Sequence, residues 1–272
     1  MVVQRILVAI DNSPGSLAAA EAAARLAARL NAELEGLFVE DIRLLRLVDA
    51  PLAREVDTLT ASRRQPGSDT LDSQFRLLGT RAREELRRIA NRHRIPWSFR
   101  VARGAVSSEI AAAAAQAEIV SLGYGGWSTR PQRALGAAAS AVLERGMSCT
   151  LLMRRAADVR PPVLLLYDGT PQGDRALKLA CQLAGNDESL VRVLLLGPDE
   201  KALGKRLGEV GGPDNCLSVV DAIESPAEPR LTAVLKGSDA GSVIIPVGGD
   251  PTYRDILHEI LETSTCPVLL VS

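Results

Sequence analysis

The sequence predicts an α/β fold in which two doubly wound parallel sheets follow one another along the chain. The segment ILVAIDNSPGSLAAAEAAARLA from Ile6 is echoed by VLLLYDGTPQGDRALKLACQLA from Val163, an offset of 157 residues. Short continuous apolar runs also alternate with stretches of helical apolar periodicity. That alternation is typical of buried parallel strands covered by helices on both faces.

The composition is that of a globular protein. The 272 residues include 32 basic and 33 acidic ones, and 46% are apolar, which excludes a disordered polyelectrolyte and an overall basic nucleic-acid binder. No apolar run reaches the about 18 residues of a membrane-spanning helix, and the N-terminus does not resemble a secretory signal, so we expect a cytoplasmic protein with no membrane partner. Two histidines and four widely spaced cysteines give no zinc pattern, so we expect no metal site.

The first copy contains five predicted strands and four predicted helices. After strand one, Ser13 is a good N-cap and Pro14 suits the first helical position, where its missing N–H costs nothing; Thr170 and Pro171 repeat this pair. The strands are predicted at 5–10, 34–39, 97–101, 118–122 and 150–153. The helices are predicted at 14–30, 71–89 and 106–115, with a fourth starting near Gly136.

The second copy has the same plan in fewer residues, so we expect domains at 1–157 and 161–272. Its strands are predicted near Val163, Val191, Leu217, Val243 and Val268. Both copies end in a similar segment, in which Cys149 matches Cys266 at an offset of 117. Because the copies begin at an offset of 157, the second copy is 40 residues shorter. If each sheet has strand order 3-2-1-4-5, the apolar last strands lie at sheet edges. We therefore predict that they pair and join the copies as a pseudo-dimer within the chain; a further homodimer stays open.

A candidate ligand site lies where the winding of the first sheet reverses, between strands one and four. Strand one ends at Asp11 and strand four at Gly123, and Gly123, Gly126 and Gly136 then follow in a G-x2-G-x9-G pattern before a helix. Glycines let main-chain N–H groups turn toward an anion, and a helix N-terminus adds donors and a favourable dipole. The pattern predicts a phosphate-binding loop.

The strand-one segment ILVAIDNSPGS, the glycine loop and a final C-x-x-L-L strand resemble the universal stress protein family in its tandem, two-domain form. The resemblance covers nearly the whole chain. It implies Rossmann-like sheets and noncatalytic binding of ATP or AMP, with or without Mg, in a cytoplasmic stress response. The residues that it places beside adenine and ribose are Ala9, Ile10 and Asp11, with Val39 closing the adenine pocket. Those that it places along the ribose and phosphates are Leu122, Gly123, Gly126, Gly136, Ala137 and Ala138.

Two departures from the family pattern bear on this site. Ala137 stands where the family usually has Ser or Thr, and the lost hydrogen bond to phosphate costs about 1.5–3 kcal/mol, which Arg130 or Arg133 could partly offset. In the second copy, Gly248 matches Gly123 by sequence and lies 18 residues before Cys266, against 26 from Gly123 to Cys149. We therefore expect that copy to lack the phosphate loop and to be structural.

Other functions remain to be weighed against nucleotide binding. Residues 1–160 carry 23 basic and 17 acidic residues, net +6, and residues 161–272 carry 9 and 16, net −7; this charge division fits either an anion site or complementary surfaces that dock the copies. A ligand-free adaptor that binds unidentified protein partners is the alternative function. The segment 41–69 is compatible with a helical flap over the site or over a second chain, or with a partly disordered insertion that has no specific role.

Catalysis and nucleic-acid binding are both disfavoured. No Lys precedes Lys178, which excludes a Walker lysine in the first copy, and two histidines do not make a catalytic triad, so we expect no catalytic residues. Slow ATP hydrolysis stays open, although no general base is identified. Nucleic acid is not expected as a partner, because aromatic residues are only 3% of the chain and the arginines look dispersed over amphipathic helices.

Overall fold

A computed structural model describes residues 3–48, 55–56, 63–64, 68–123, 137–145, 149–153, 158–185, 191–197, 199–211, 218–223, 230–247, 260, 264 and 266–272. The described strands form one ten-stranded sheet with helices on both faces, and a separate two-stranded pair. The predicted α/β fold class is confirmed. No helix in the described part of the chain is both long and apolar enough to cross a membrane.

The first half begins with two strands and the helix between them, and its long insertion starts with a short helix. Its elements are β1 (Arg5–Ala9), α1 (Pro14–Leu30), β2 (Glu33–Asp41), α2 (Ile42–Val48), β3 (Glu55–Val56), β4 (Arg63–Arg64), α3 (Ser68–His93), β5 (Trp97–Gly104), α4 (Val106–Ala114), β6 (Ile119–Gly123), α5 (Ala137–Glu144) and β7 (Cys149–Met153). β2 and β5 are longer than predicted because they pair along their whole shared length, from Leu34 with Trp97 to Asp41 with Gly104. Apart from α2, β3, β4 and its end residues in β2 and α3, the segment predicted as a flap lies outside the described residues.

The second half repeats this plan with shorter connections. Its elements are β8 (Val163–Tyr167), α6 (Pro171–Ala184), β9 (Val191–Leu196), α7 (Glu200–Gly211), β10 (Ser218–Ile223), α8 (Arg230–Gly237), β11 (Ser242–Pro246) and β12 (Val268–Val271). The helix before the edge strand shows the difference, because α3 has 26 residues and α7 has 12.

The ten strands run in the order β10-β9-β8-β11-β12-β7-β6-β1-β2-β5. Each half therefore has the order 3-2-1-4-5 with parallel neighbours. The halves meet where β12 pairs antiparallel with β7, the pairing that the sequence predicts for the two last strands. Leu151 lies opposite Leu269 at the middle of this junction, and both side chains are fully buried.

The strand registers correct the way the two copies were matched by sequence. Ile6 pairs with Ile119 and the equivalent Val163 pairs with Ser242, so β6 and β11 correspond at an offset of 123. Gly123 therefore corresponds to Pro246, and the match to Gly248 was wrong. Gly123 pairs with Met153 and Pro246 pairs with Val271, so β7 and β12 correspond at an offset of 118. The match of Cys149 to Cys266, which has an offset of 117, was therefore wrong by one position. The connection between these strands is 5 residues shorter in the second copy, not 8, and the copies differ by 39 residues rather than 40.

The core has two layers, one on each face of the sheet. Side chains of α1, α3, α6 and α7 pack on one face, and side chains of α4, α5 and α8 pack on the other. Because successive side chains of a strand point to opposite faces, Ile6, Val8 and Ile10 belong to the first layer, whereas Leu7 and Ala9 belong to the second. This alternation decides which side chains can line a site at the end of β1.

Both predicted helix starts are confirmed. The Ser13 hydroxyl accepts a hydrogen bond from the Ser16 N–H at 3.1 Å, and the Thr170 hydroxyl accepts one from the Gly173 N–H at 3.0 Å. Each cap follows a residue in the left-handed region, Asn12 with φ 63° and Gly169 with φ 71°. The strand-to-helix turn is thus built the same way in both halves.

Candidate functional site

The winding of the first half reverses between β1 and β6. β1 leads into α1, which packs on one face of the sheet, and β6 precedes α5, whose Ala139 and Val142 pack on the other face. The two strands are parallel neighbours, with Ile6 opposite Ile119 and Val8 opposite Ser121. In doubly wound sheets, ligands bind beyond the carboxyl ends of strands at such a point.

An apolar strip lies at this edge, on the face covered by α4 and α5. We give this name to four of the predicted residues that pack in this layer, Ala9 of β1, Val39 of β2, Leu122 of β6 and Ala138 of α5. Leu122 is buried, and the other three are half-buried. The strip therefore offers partly accessible apolar surface of the kind that a flat heterocycle packs against.

The sequence analysis missed two residues beside this strip. Ala102 is the register partner of Val39 on β5, and Val106 opens α4; both are half-buried and pack against the same layer. The alternation of β5 together with the predicted strand order could have placed Ala102 next to Val39.

Ile10 lies on the opposite face from the strip. Its side chain is 2% exposed within the layer of α1 and α3, and its N–H donates to the Leu37 carbonyl at 3.0 Å. Any contribution to a site on the α4 and α5 face is therefore limited to its main-chain carbonyl.

Asp11 shapes the turn that leads into α1. Its Oδ1 accepts from the Ser13 N–H at 3.0 Å, and its own N–H donates to Ser16 Oγ at 3.2 Å. Its Oδ2 accepts no hydrogen bond from the residues that the structure describes. One carboxylate oxygen is thus used by the fold, and the second is available to a ligand hydroxyl.

Gly123 is required by packing. A Cβ on this residue would lie 2.5 Å from the carbonyl carbon of Gly15 and 2.6 Å from its oxygen. On the same strand, Ser121 Oγ donates to the Ala19 carbonyl at 3.0 Å. The first turns of α1 therefore lie directly against the end of β6, and this glycine has a structural reason apart from any ligand.

The predicted phosphate loop is described only at its two ends. Gly126, Gly136, Arg130 and Arg133 lie outside the described residues, so their predicted roles stay predictions. Helix α5 begins at Ala137, which is exposed, and continues with the half-buried Ala138.

Charged groups near the end of β2 are paired. Arg43 donates to both carboxylate oxygens of Asp41 at 3.0 to 3.2 Å, and hydrogen bonding from Arg43 lowers the pKa of Asp41. Arg103 binds Glu40 at 2.6 Å and Asp72 at 2.7 Å. No group of three or more His, Cys, Asp or Glu that could hold a metal occurs among the described residues.

A comparison with protein-family models adds an independent finding. The model described as "Universal stress protein family" matches residues 3–154, more than half of the chain. The chain belongs to the universal stress protein family. Membership supports a role in the response to stress. A search of curated proteins finds no match.

Solved structures with a similar fold include proteins of the same family. A universal stress protein from Archaeoglobus fulgidus has a TM-score of 0.70 at 18% identity, covering 98% of each chain. The functionally unknown protein PA1789 from Pseudomonas aeruginosa PAO1 has a TM-score of 0.59 at 16% identity, covering 99% of this chain and 92% of that one. At these identities the similarity shows the fold, and it extends through both halves.

The second half of this universal stress protein has different residues at the ends of β8 and β11, the strands that correspond to β1 and β6. Tyr167 takes the place of Ile10, and its hydroxyl donates to Asp174 at 2.8 Å, while Arg206 binds the same carboxylate at 2.7 Å. Asp168, in the place of Asp11, accepts from the N–H and the hydroxyl of Thr170. Pro246 in the place of Gly123 has no N–H, so this strand end has one donor fewer for an anion.

Proposed function

We propose that the first half binds an adenine nucleotide, ATP or AMP, without catalysing a reaction, and that the second half is structural. The observation that carries this proposal is the apolar strip of Ala9, Val39, Leu122 and Ala138 at the switch point of the first sheet. Adenine would pack on the strip, and a ribose hydroxyl would donate to Asp11 Oδ2. The phosphates would meet the N-terminus of α5 and the glycine loop before it. The domain bounds 1–157 and 161–272 belong to the same proposal.

The noncatalytic part of the proposal is supported by the positions of two titratable side chains, His93 and Asp11. His93 lies at the far end of α3, where its Nε2 is 2.9 Å from Glu21 Oε1. Asp11 already accepts a hydrogen bond from the turn that it shapes. His93 is therefore not placed as a general base, Asp11 Oδ2 would accept from the ribose rather than activate a water, and Mg would enter with the phosphates rather than on a protein site. We expect the protein to act in the cytoplasm as a nucleotide-responsive binder.

A ligand-free adaptor is the second candidate, and one observation favours it. Gly123 and Asp11 both have roles in the fold that need no ligand, since one admits the main chain of Gly15 and the other supports the start of α1. These residues therefore do not by themselves distinguish a nucleotide binder from an adaptor.

Two measurements separate the candidates. The purified protein is denatured and its supernatant is assayed for adenine nucleotide, and Mg·ATP and AMP are titrated into nucleotide-free protein by calorimetry. Val39→Lys should weaken binding by at least about tenfold, because an ammonium group would replace apolar contact with the base and would lose hydration when the base covers it. Val101→Lys, an exposed valine on the opposite face of the neighbouring strand, is the control and should leave affinity unchanged. An empty supernatant and no heat with the unmodified protein would favour the adaptor.

A further inference from the structure

Helix α3 presents an exposed leucine among arginines on its outer side. Phe75, Ala82, Leu86 and Ile89 face the sheet and are buried. Leu77 points away from them and is 52% exposed. At 3.6 residues per turn, its neighbours on the outer surface include Thr80 and Arg81.

Arg76 and Arg83 lie on the other side of Leu77 from Arg81. Positions 76 and 83 are seven residues apart, so they share one stripe of the helix, about 10 Å apart along the axis. All three arginines are exposed. Leu77 is therefore flanked by positive charge on both sides; Arg76, Leu77, Thr80, Arg81 and Arg83 are called the arginine–leucine patch below.

The ion pairs of α3 leave this patch uncompensated. Further along the helix, Arg87 binds Glu84 and Arg88 binds Glu85, both at 2.7 Å. Near its end, Arg92 binds Glu21 at 3.1 Å. In the described part of the chain, no carboxylate pairs with Arg81 or Arg83, and Arg76 Nε donates only to the Asp72 main-chain carbonyl at 3.3 Å. The patch thus combines unpaired positive charge with an exposed apolar side chain.

The junction of the two halves does not use this charge. Its strands β7 and β12 pair through mostly apolar residues, and helices α1 and α6 also contact each other. Among the described residues, no ion pair joins the first half to residues after 160. The basic character of the first half therefore stays on its surface. The electrostatic complement of such a surface is one rich in carboxylates.

We propose that the arginine–leucine patch is a docking site for an acidic segment of a partner protein, with an apolar side chain of that segment packed on Leu77. An exposed leucine within a ring of charges is the arrangement of an interface anchor with a polar rim. Nucleic acid fits less well, because the leucine of the patch offers no ring for a base to stack on, whereas it can pack against an apolar side chain of a peptide. This site is distinct from the proposed nucleotide site, since α3 covers the opposite face of the sheet.

The test uses the full-length protein and two fluorescent probes. One is an acidic amphipathic peptide with glutamates around a leucine stripe, and the other is a DNA duplex of similar length. Arg81→Gln/Arg83→Gln and, separately, Leu77→Ser should each weaken peptide binding by at least about tenfold. The matched control is Arg175→Gln/Lys178→Gln, which removes two exposed charges from α6 on the same face of the sheet and should change affinity less than about twofold.

All of these positions are exposed, so each variant should keep the thermal unfolding midpoint of the unmodified protein. The proposal is overturned if the peptide does not bind, or if the control lowers affinity as much as the patch variants, which would indicate a net-charge effect. It is also overturned if the duplex binds more tightly than the peptide and Leu77→Ser has no effect, because the patch would then be a polyanion site.

Discussion

The main chain of Gly15 occupies the space that a side chain on Gly123 would need, 2.5 Å from the position of a Cβ. Main chain in the first turn of a packed helix cannot move aside as a flexible side chain can. Gly123→Ala should therefore lower the free energy of unfolding by about 1–3 kcal/mol, measured by urea denaturation.

Gly204 is the matched control for that substitution. It lies in α7, and a Cβ there would meet no atom within 4 Å. Gly204→Ala should raise stability by about 0.5–1 kcal/mol because alanine loses less backbone entropy in a helix. Equal stability of Gly123→Ala and the unmodified protein would show that α1 is not held against β6.

The junction of the two halves predicts that they unfold together. Trp97 and Trp127 both belong to the first half, so tryptophan fluorescence reports on that half alone. Leu269→Ala in β12 removes a fully buried side chain opposite Leu151 and should cost about 2–5 kcal/mol. Because the strands share one sheet, the fluorescence transition should shift as far as the transition followed by far-UV circular dichroism.

Lys201→Ala, an exposed change in the second half, should move neither transition by more than about 0.5 kcal/mol. A fluorescence transition that stays in place in Leu269→Ala, while circular dichroism shows an early loss, would mean that the first half folds independently of β12.

The Tyr167, Asp174 and Arg206 cluster predicts a pH dependence in the second half. Burial by itself would raise the pKa of Asp174, but hydrogen bonds from Arg206 and Tyr167 outweigh it and the pKa is lowered. A carboxyl with a depressed folded pKa contributes stability above its unfolded pKa of about 3.9, and that contribution is lost as the pH falls through the folded value. The stability gap between the unmodified protein and Asp174→Asn should therefore be larger near neutral pH than near pH 2.

Glu209→Gln serves as the comparison, because this exposed carboxyl lies 3.9 Å from Lys205 and contributes little at either pH. Tyr167→Phe should cost about 0.5–1.5 kcal/mol at neutral pH, since Asp174 loses one donor and keeps Arg206. A gap for Asp174→Asn that is independent of pH would contradict the ionic account of this cluster.

The elements and their order could be predicted from the sequence because the two copies constrain each other. Ser13 with Pro14 and Thr170 with Pro171 mark the same turn, and strand runs such as 163–167 have no other environment than a doubly covered sheet. Which residues of the two copies correspond beyond the loops of unequal length could not be predicted. Gly248 matched Gly123 by residue type, but only the pairing of Val163 with Ser242 shows that Pro246 takes that place.

The candidate site was predictable in position more than in detail. Ala9 and Ile10 were assigned to one pocket, although neighbours on a strand face opposite layers, and the structure separates their side chains accordingly. The arginines of α3 looked dispersed in the sequence. Their distribution has meaning only after the pairs with Glu84 and Glu85 are known, which leaves Arg81 and Arg83 unpaired among the described residues.

The burial of Cys149 predicts how its thiol reacts. Its side chain is fully buried at the start of β7, beside the junction of the halves, and burial raises the pKa of its thiol to about 12. The thiolate is the reactive form, so native Cys149 should be alkylated only when the strand opens. In a variant that keeps Cys149 as its single cysteine, the iodoacetamide rate between about pH 7 and 9 should not exceed the rate of global unfolding. The half-buried Cys181, kept as the single cysteine of a second variant, should instead react faster than Cys149 at the same pH, because its side chain is partly accessible in the folded protein. Alkylation of Cys149 at a rate like that of Cys181 would mean that β7 separates from β12 while the rest of the sheet remains folded.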